Sequence, residues 1–477
     1  MLFNSLEFAI FVPIVFGLYW YVFNKNLKIQ NLFILVASYV FYGWWDYRFL
    51  LLIFISSLCD YLVGQAIYDS KSDRQKKWLL WISLAVNLGL LGFYKYYNFF
   101  VTSFVDAFTL LGVKPNISTL NIILPVGISF YTFQTLSYTI DVYRGVLKPS
   151  KDFTSFFAYV SFFPQLVAGP IEKAKNLLPQ FYVPRVFDYE LARNGLRLIL
   201  WGLFQKMVVA DTCGAFTNII YSDPDNAGFN EIILGTMFFG FQIYGDFSGY
   251  SYIAIGTARL FGFRLTTNFK YPYLSRSVPE FWQRWHITLM SWLRDYLYYP
   301  LRKGKKSQAN RIFAVFIVFF VSGLWHGANW TFVIFGIIHG LYMIAYILLG
   351  LDTKFLSGVI AQGRTFPTLK ELLLALWTYI LVNIPLILFR GENLQHALEL
   401  AKGMVLNPYV PFKLIYLEGI VLFCLMVYAE YFFREDRYPF ERLNMSPATR
   451  YVFYTVVVFT ILAYAANAGT EFIYFQF

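Results

Sequence analysis

The sequence predicts an all-α protein that crosses a membrane many times, and composition, aromatic placement and basic-residue placement each point there. Of 477 residues, 58% are hydrophobic and only 14% are charged. A water-soluble chain of that length would divide into about three domains, but so little polar surface cannot coat them. Hydrocarbon is the solvent that fits. Aromatic residues reach 21%, and Tyr and Trp gather at the ends of apolar runs, as in Tyr19-Trp20-Tyr21 and Tyr42-Gly43-Trp44-Trp45. Such amphipathic rings favour the headgroup region. A net charge of +11 would suggest nucleic-acid binding in a soluble chain. Here the basic residues fall in short loops between apolar runs: Lys25 and Lys28; Lys71, Arg74, Lys76 and Lys77; Lys303, Lys305 and Lys306. That is the positive-inside pattern of cytoplasmic loops, so no nucleic-acid partner is expected and membrane lipid surrounds the chain.

Met1 to Phe23 lacks a basic leading segment and a small-residue cleavage site, and is read as a retained first span. If the Lys25 and Lys28 loop lies inside, the amino terminus lies outside, and the loop Ser70 to Lys77, two spans on, is inside again. Further apolar runs centre near Leu35, Ile55, Leu84, Gly127, Val160, Leu200, Phe238, Ile255, Val318, Ile337, Leu381, Leu422 and Val458. A crossing takes about 20 apolar residues, and several runs are shorter or are interrupted by Pro or Gly. The expectation is about ten to twelve crossings plus re-entrant or interfacial helices. No repeat, low-complexity tract or long polar linker divides the chain, so one membrane domain over residues 1–477 is expected. Cys59, Cys213 and Cys424 stand far apart in apolar surroundings and read as small core residues.

One segment departs from this pattern. From Ser277 to Pro300, Phe281, Trp285, Leu289, Trp292 and Tyr296 recur on one helical face, with Glu280, Arg284, Ser291, Arg294 and Asp295 on another. Ser277 and Glu280 have capping-box spacing. A charged face forbids lipid on all sides, so this helix should lie at an interface or dip into the protein, carrying His286 with it.

The chain has four histidines, and three of them, His286, His326 and His339, fall within or beside its most hydrophobic stretch. Imidazole at membrane depth is costly and turns toward a protein interior or a wet cavity, and it is the side chain best suited to proton transfer near neutral pH. His326 closes the apolar run Phe313 to Leu324 and is followed by Gly327, Ala328, Asn329 and Trp330, so a glycine and an amide interrupt the helix there. Spacing alone leaves two readings open, a catalytic imidazole or one that bonds a neighbouring helix. His339 stands between Gly336 and Gly340, a small-residue pair that favours close packing over catalysis. His396 belongs to a polar amphipathic stretch, Arg390 to Lys402, where exposure accounts for it. Asp246, among Gly245, Ser248 and Gly249, is either a buried structural hub, the preferred reading, or part of a polar pathway. HExxH, GxSxG, a Walker loop and carboxylates at metal-ligand spacing are all missing, so no metal is expected.

Several separate motifs stand in order over nearly the whole chain: Pro125-Val126-Gly127-Ile128-Ser129-Phe130-Tyr131-Thr132-Phe133-Gln134, Ile140-Asp141-Val142-Tyr143-Arg144, Phe163-Pro164-Gln165-Leu166-Val167-Ala168-Gly169-Pro170-Ile171, Asp246-Phe247-Ser248-Gly249-Tyr250, Phe281-Trp282-Gln283-Arg284-Trp285-His286 and Leu324-Trp325-His326-Gly327. Together they resemble the membrane-bound O-acyltransferases, in particular the branch typified by the alginate O-acetylation protein AlgI. The resemblance implies a helical fold around a central tunnel. It implies that His326 is the catalytic histidine and that His286 is its polar partner. For Asp246 it implies a structural or pathway role, and Trp325 and Asn329 are further tunnel candidates.

Acyl-transfer chemistry then makes His326 the general base toward an attacking hydroxyl, with His286 orienting the acceptor or donating to the oxyanion. The implied donor is a cytoplasmic thioester, acetyl-CoA, with no tightly bound cofactor. The implied acceptor is a sugar hydroxyl of a secreted or cell-surface polysaccharide, reached through an exported acetyltransferase or a polysaccharide-synthesis partner, with the protein in the bacterial plasma (inner) membrane. Two rival readings are D-alanyl transfer toward teichoic acid from an acylated carrier protein, and a transporter or channel.

Overall fold

The structure is a computed structural model that describes residues 1–113, 115, 117–167, 169–305, 307–355, 357–441, 445–465 and 472. Ala168 and Lys306, read above within a motif and a basic loop, lie outside the described residues. Among the described residues every regular element is a helix. They form two compact units, Met1–Tyr189 with Ala258–Leu265, and Glu190–Thr257 with Thr266–Phe477.

The first unit holds α1 (Leu6–Gly17), α2 (Leu27–Asp46), α3 (Leu50–Asp69), α4 (Asp73–Leu91), α5 (Tyr97–Leu110), α6 (Ile128–Tyr143) and α7 (Phe153–Ser161). Side-chain oxygens start the helices where the sequence supplies them: Asn26 caps α2 and Ser72 caps α4. Gly127 enters α6 in the left-handed region at φ 78°, and a Cβ there would lie 2.6 Å from the Leu166 carbonyl oxygen. Glycine alone fits both conditions.

A buried polar knot joins α3, α4 and α6. Ser56 and Asp60 are four residues apart on α3, as are Ser83 and Asn87 on α4, so each pair shares a helical face. Asp60 accepts hydrogen bonds from Ser83, from Asn87 Nδ2 at 2.9 Å and from Thr139 Oγ1 at 2.9 Å, while Ser56 donates to Asn87 Oδ1 at 2.6 Å. Inside a membrane such groups must satisfy one another, and doing so holds helices together.

The second unit contains α8 (Tyr189–Leu203), α9 (Asp211–Tyr221), α10 (Phe229–Leu260, whose last turn falls in the first unit), α11 (Val278–Arg284), α12 (Ile287–Leu293), α13 (Gln308–His326), α14 (Trp330–Leu348), α15 (Leu369–Asn383), α16 (Leu386–Arg390), α17 (Leu394–Leu406), α18 (Leu417–Phe432) and α19 (Pro447–Ala465). The apolar runs near Phe238 and Ile255, read as separate, are one 32-residue helix, α10. At 1.5 Å per residue it is roughly 48 Å long. Gly249 and Gly256 of α10 repeat the seven-residue spacing of Gly195 and Gly202 of α8. A Cβ on Gly249 would lie 2.6 Å from the Gly202 carbonyl oxygen, and one on Gly256 would lie 2.4 Å from that of Gly195. The two backbones therefore touch, as small-residue stripes allow.

The hairpin α13–α14 packs in the same way. A Cβ on Gly323 would come 2.4 Å from the Phe332 carbonyl oxygen, and one on Gly336 would come 2.4 Å from that of Phe319. The close packing read from Gly336 and Gly340 is thus present, with Gly340 set against Phe319.

Eight helical stretches among the described residues are long and apolar enough to cross a membrane. The difference from the expected number has identifiable sources. The stretch Leu27–Asp69 counts once but holds two 20-residue helices, separated at Asp46 by the turn Tyr47–Phe49. The stretch Leu6–Val22 is short. Helix α10 carries Glu231, Asp246 and Arg259. The chain is a multi-pass membrane protein.

Gly323→Ala should lower stability by about 1–3 kcal/mol, because overpacking here meets backbone. Gly89→Ala on α4, where a Cβ meets nothing within 4 Å, should be neutral or mildly stabilising. Thermal melting of both variants in detergent checks the contrast.

Candidate active site

Helix α13 ends on His326 because the next residues cannot continue it. Gly327 is fully extended, and a Cβ there would lie 2.2 Å from the Phe332 ring. Asn329 then starts α14: its Oδ1 accepts the Thr331 N–H at 3.0 Å, and its Nδ2 donates to the Glu392 carbonyl at 3.2 Å. Both ends of the Asn329 amide are engaged in this turn, so the residue read as tunnel-shaping acts as a helix cap. The His326 imidazole is buried, with the rings of Trp325 at 5.2 Å, Phe389 at 5.3 Å and Phe335 at 6.1 Å between centroids.

The segment Ser277 to Pro300 is not the single helix that its periodicity predicts. It breaks between α11 and α12, at His286, whose backbone sits in the left-handed region at φ 45° and ψ 50°. A non-glycine residue there is strained and needs its surroundings to hold it. Neighbouring backbone supplies that hold. The Lys270 N–H donates to the Arg284 carbonyl at 2.9 Å, and the Ile287 N–H donates to the Asn268 carbonyl at 2.9 Å.

Of the charged face of this segment, Glu280 and Arg284 turn inward, while the Arg294 side chain farther along is 56% exposed. Glu280, 1% exposed, accepts from the Arg276 N–H at 2.8 Å, pairs with the Arg276 guanidinium at 3.1 Å and pairs with Arg284 at 2.8 Å. The capping box is half formed: Ser277 Oγ accepts the Glu280 N–H at 3.2 Å, while the Glu280 carboxylate goes to the arginines. Of the two placements open to the sequence, α11 dips into the protein, while the stretch from Arg294 to Pro300 reaches the surface.

Asn268 is the residue that sequence reading missed. Fully buried, it offers Oδ1 to the Thr288 hydroxyl at 2.8 Å and to the Thr288 N–H at 3.3 Å, and its Nδ2 donates to Ser251 Oγ at 3.1 Å. The same Oδ1 lies 3.1 Å from His286 Nδ1. Oδ1 can only accept, so in this contact Nδ1 carries the proton and the neutral ring presents a lone pair on Nε2. His286 Nε2 is buried and has no hydrogen-bond partner among the described residues. Burial pushes the His286 pKa well below its ordinary value, and nearby His326 adds to the effect. The His286 ring packs edge-on against Phe247 at 4.6 Å, with Trp325 at 5.5 Å and His326 at 6.5 Å.

The remaining candidates hold the frame. Asp246 and Asp211 flank Lys206 Nζ at 2.8 and 2.7 Å, a buried and charge-paired group. Next in sequence is Phe247, whose ring meets His286, so the structural hub also positions the site. His339 Nδ1 accepts the Trp282 indole N–H at 3.3 Å. His396 Nε2 lies 3.0 Å from the Tyr221 carbonyl oxygen, a bond that ties its helix down.

Two imidazoles facing each other in the packed interior of a multi-pass helical protein, one neutral with a lone pair on offer, suit proton transfer in water-poor surroundings, as a membrane-embedded transferase requires. The model of the MBOAT, membrane-bound O-acyltransferase family, matches residues 40–350. The chain belongs to that family and is an O-acyltransferase. It is 38% identical over 407 residues to the "Probable alginate O-acetylase AlgI" of Pseudomonas putida, covering 85% of this chain and 80% of that protein. It is 33% identical over 434 residues to the Peptidoglycan O-acetyltransferase of Helicobacter pylori, covering 85% and 80%. To the Teichoic acid D-alanyltransferase of Streptococcus thermophilus it is 29% identical over 312 residues, covering 61% and 70%.

A histidine whose folded pKa is lowered takes up its proton only in the unfolded chain. Stability is therefore unaffected above the ordinary pKa of about 6.5 and falls as pH drops below it. Between about pH 7.5 and about pH 5 the melting temperature of the wild type should fall further than that of His286→Asn, which does not titrate there and tolerates the left-handed backbone. Equal falls would show that His286 is not held neutral.

Proposed function

We propose that this protein takes an acetyl group from a cytoplasmic thioester, acetyl-CoA, and passes it toward a hydroxyl of a secreted or cell-surface polysaccharide, with an exported acetyltransferase as partner, in the bacterial plasma (inner) membrane. The observation that carries the reading is the buried pair His326 and His286, 6.5 Å apart, with Nε2 of His286 presented as an acceptor. The acetylating relatives support acetyl over D-alanyl, since their match covers more of this chain at higher identity.

In the proposed step, His326 removes the proton of the attacking hydroxyl as its oxygen adds to the thioester carbonyl. The C–O bond forms, the C–S bond breaks, and the proton passes from His326 to the departing thiolate. His286 has its N–H engaged by Asn268, so it orients the acceptor by accepting a hydrogen bond from a neighbouring hydroxyl of the sugar, which leaves the attacking O–H directed at His326, and it does not donate to the oxyanion. Phe335 and Phe389 keep water from the reacting carbonyl and raise the value of each hydrogen bond.

His326→Ala should reduce acetyl transfer by about 10²–10⁴-fold with the protein still folded. Membranes given labelled acetyl-CoA should incorporate label. Incorporation only from a D-alanyl carrier protein would move the chain to the teichoic-acid reaction.

Asn268→Ala should lower kcat by about 10²-fold, the scale of one misplaced acid–base group, and Asn268→Asp, which keeps an acceptor for Nδ1–H, should recover part of it. Equal loss in both would remove the orienting role of Asn268.

A further inference from the structure

We propose that Trp282 is the movable wall of the acyl chamber and that His339 latches it, so that this pair sets the size of the acyl group that reaches His326. The inference rests on the acyl-transfer reading for its catalytic consequence only.

Beside His326 the protein encloses about 20 Å³, between Phe335, Phe389, Trp285, His339 and Trp282. That space admits a water molecule but not an acetyl thioester. A part of the wall must therefore move for catalysis. Adjacent lies a second cavity of about 590 Å³, lined by Met290, Val318, Phe319 and Met343, with Arg294, Arg311 and Asp352 among its polar lining. Its volume lies in the range of small-molecule sites. From Arg311 to Phe319 along α13 is eight residues, roughly 12 Å, so the space is long enough for a thin, flexible thioester arm.

Trp282 belongs to the lining of both cavities. Separating the helices would not join them cheaply, because α13 and α14 meet backbone to backbone at Gly323 and Gly336. The indole is held more lightly. It makes one hydrogen bond, Nε1–H to His339 Nδ1 at 3.3 Å, and edge-on ring contacts with His339 at 4.9 Å, Phe319 at 5.1 Å and Phe281 at 5.4 Å, none of which fixes it to backbone. An indole N–H and an imidazole in hydrocarbon each need a partner, and here they serve one another. An amide carbonyl on an incoming donor arm offers the indole N–H a replacement acceptor as the ring swings. His339 is a positioning residue in this scheme and stays clear of the reacting atoms.

The experiment uses the full chain in detergent or liposomes. Trp282→Ala should raise the ratio of butyryl-CoA to acetyl-CoA transfer by about tenfold or more, the scale of a few methylenes in an apolar pocket. Trp282→Phe should leave the ratio near the wild-type value, and His339→Leu, which keeps bulk but removes the latch, should raise it by less than Trp282→Ala. An unchanged ratio in active Trp282→Ala overturns the proposal. A second readout needs no donor: Leu386→Cys, in the small chamber, should react with a thiol reagent at least about tenfold faster when combined with Trp282→Ala or His339→Leu, with the unsubstituted chain correcting for Cys59, Cys213 and Cys424. Equal labelling rates overturn the gate even where Trp282→Ala is inactive. Faster labelling without any CoA-dependent transfer keeps the gate and rejects the donor assignment instead.

Discussion

In hydrocarbon a backbone can leave the helix only where other groups take up the hydrogen bonds it gives up. The candidate site of this protein is built on that constraint. Between Arg284 and Ile287 the chain departs from the helix, and the irregular run from Asn268 to Lys270 receives it through two backbone hydrogen bonds of 2.9 Å. The amide of Asn268 then completes the exchange with Thr288 and His286. One buried side chain thereby holds a strained residue, fixes a ring orientation and selects the tautomer that leaves Nε2 as an acceptor. The second break, at Gly327 to Asn329, obeys the same rule through the cap on Thr331.

Other buried charges in this unit are compensated. Lys206 lies between two aspartates, and Glu280 between two arginines. Tyr244 and Gln205 donate to Glu430. Groups so paired are expensive to disturb and set the register of the helices around them. His286 differs, since one of its nitrogens faces the interior with no partner among the described residues. Other buried polar atoms of the unit share that state, Gln242 Oε1, Tyr271 Oη and Tyr379 Oη among them, and what sets His286 apart is its place beside His326.

Rigidity and motion divide along the same lines. Glycine contacts lock α8 to α10 and α13 to α14, so the helix that ends on His326 is held against its neighbour. Large aromatic side chains fill the remaining space and move at lower cost than the helices that carry them. A transferase site that must admit its substrates and then exclude water needs both kinds of element.

Composition and periodicity determined the membrane setting and the all-α class, because the ratio of apolar to charged residues and the apolar run lengths are properties of the chain itself. The break after His326 was legible for the same reason: Gly327 and Asn329 are local signals acting on their own backbone. The break at His286 was not, since no glycine or proline lies between Glu280 and Tyr299 and the apolar spacing runs on unbroken. Only the distant run Asn268 to Lys270, through two backbone bonds and the Asn268 amide, makes that break possible. The union of two apolar runs into α10, the Asp60 knot, the inward turn of Glu280 and Arg284, and the bond between Trp282 and His339 belong with it. Each depends on which distant side chain arrives to satisfy a buried group, and spacing along one segment carries no record of that arrival.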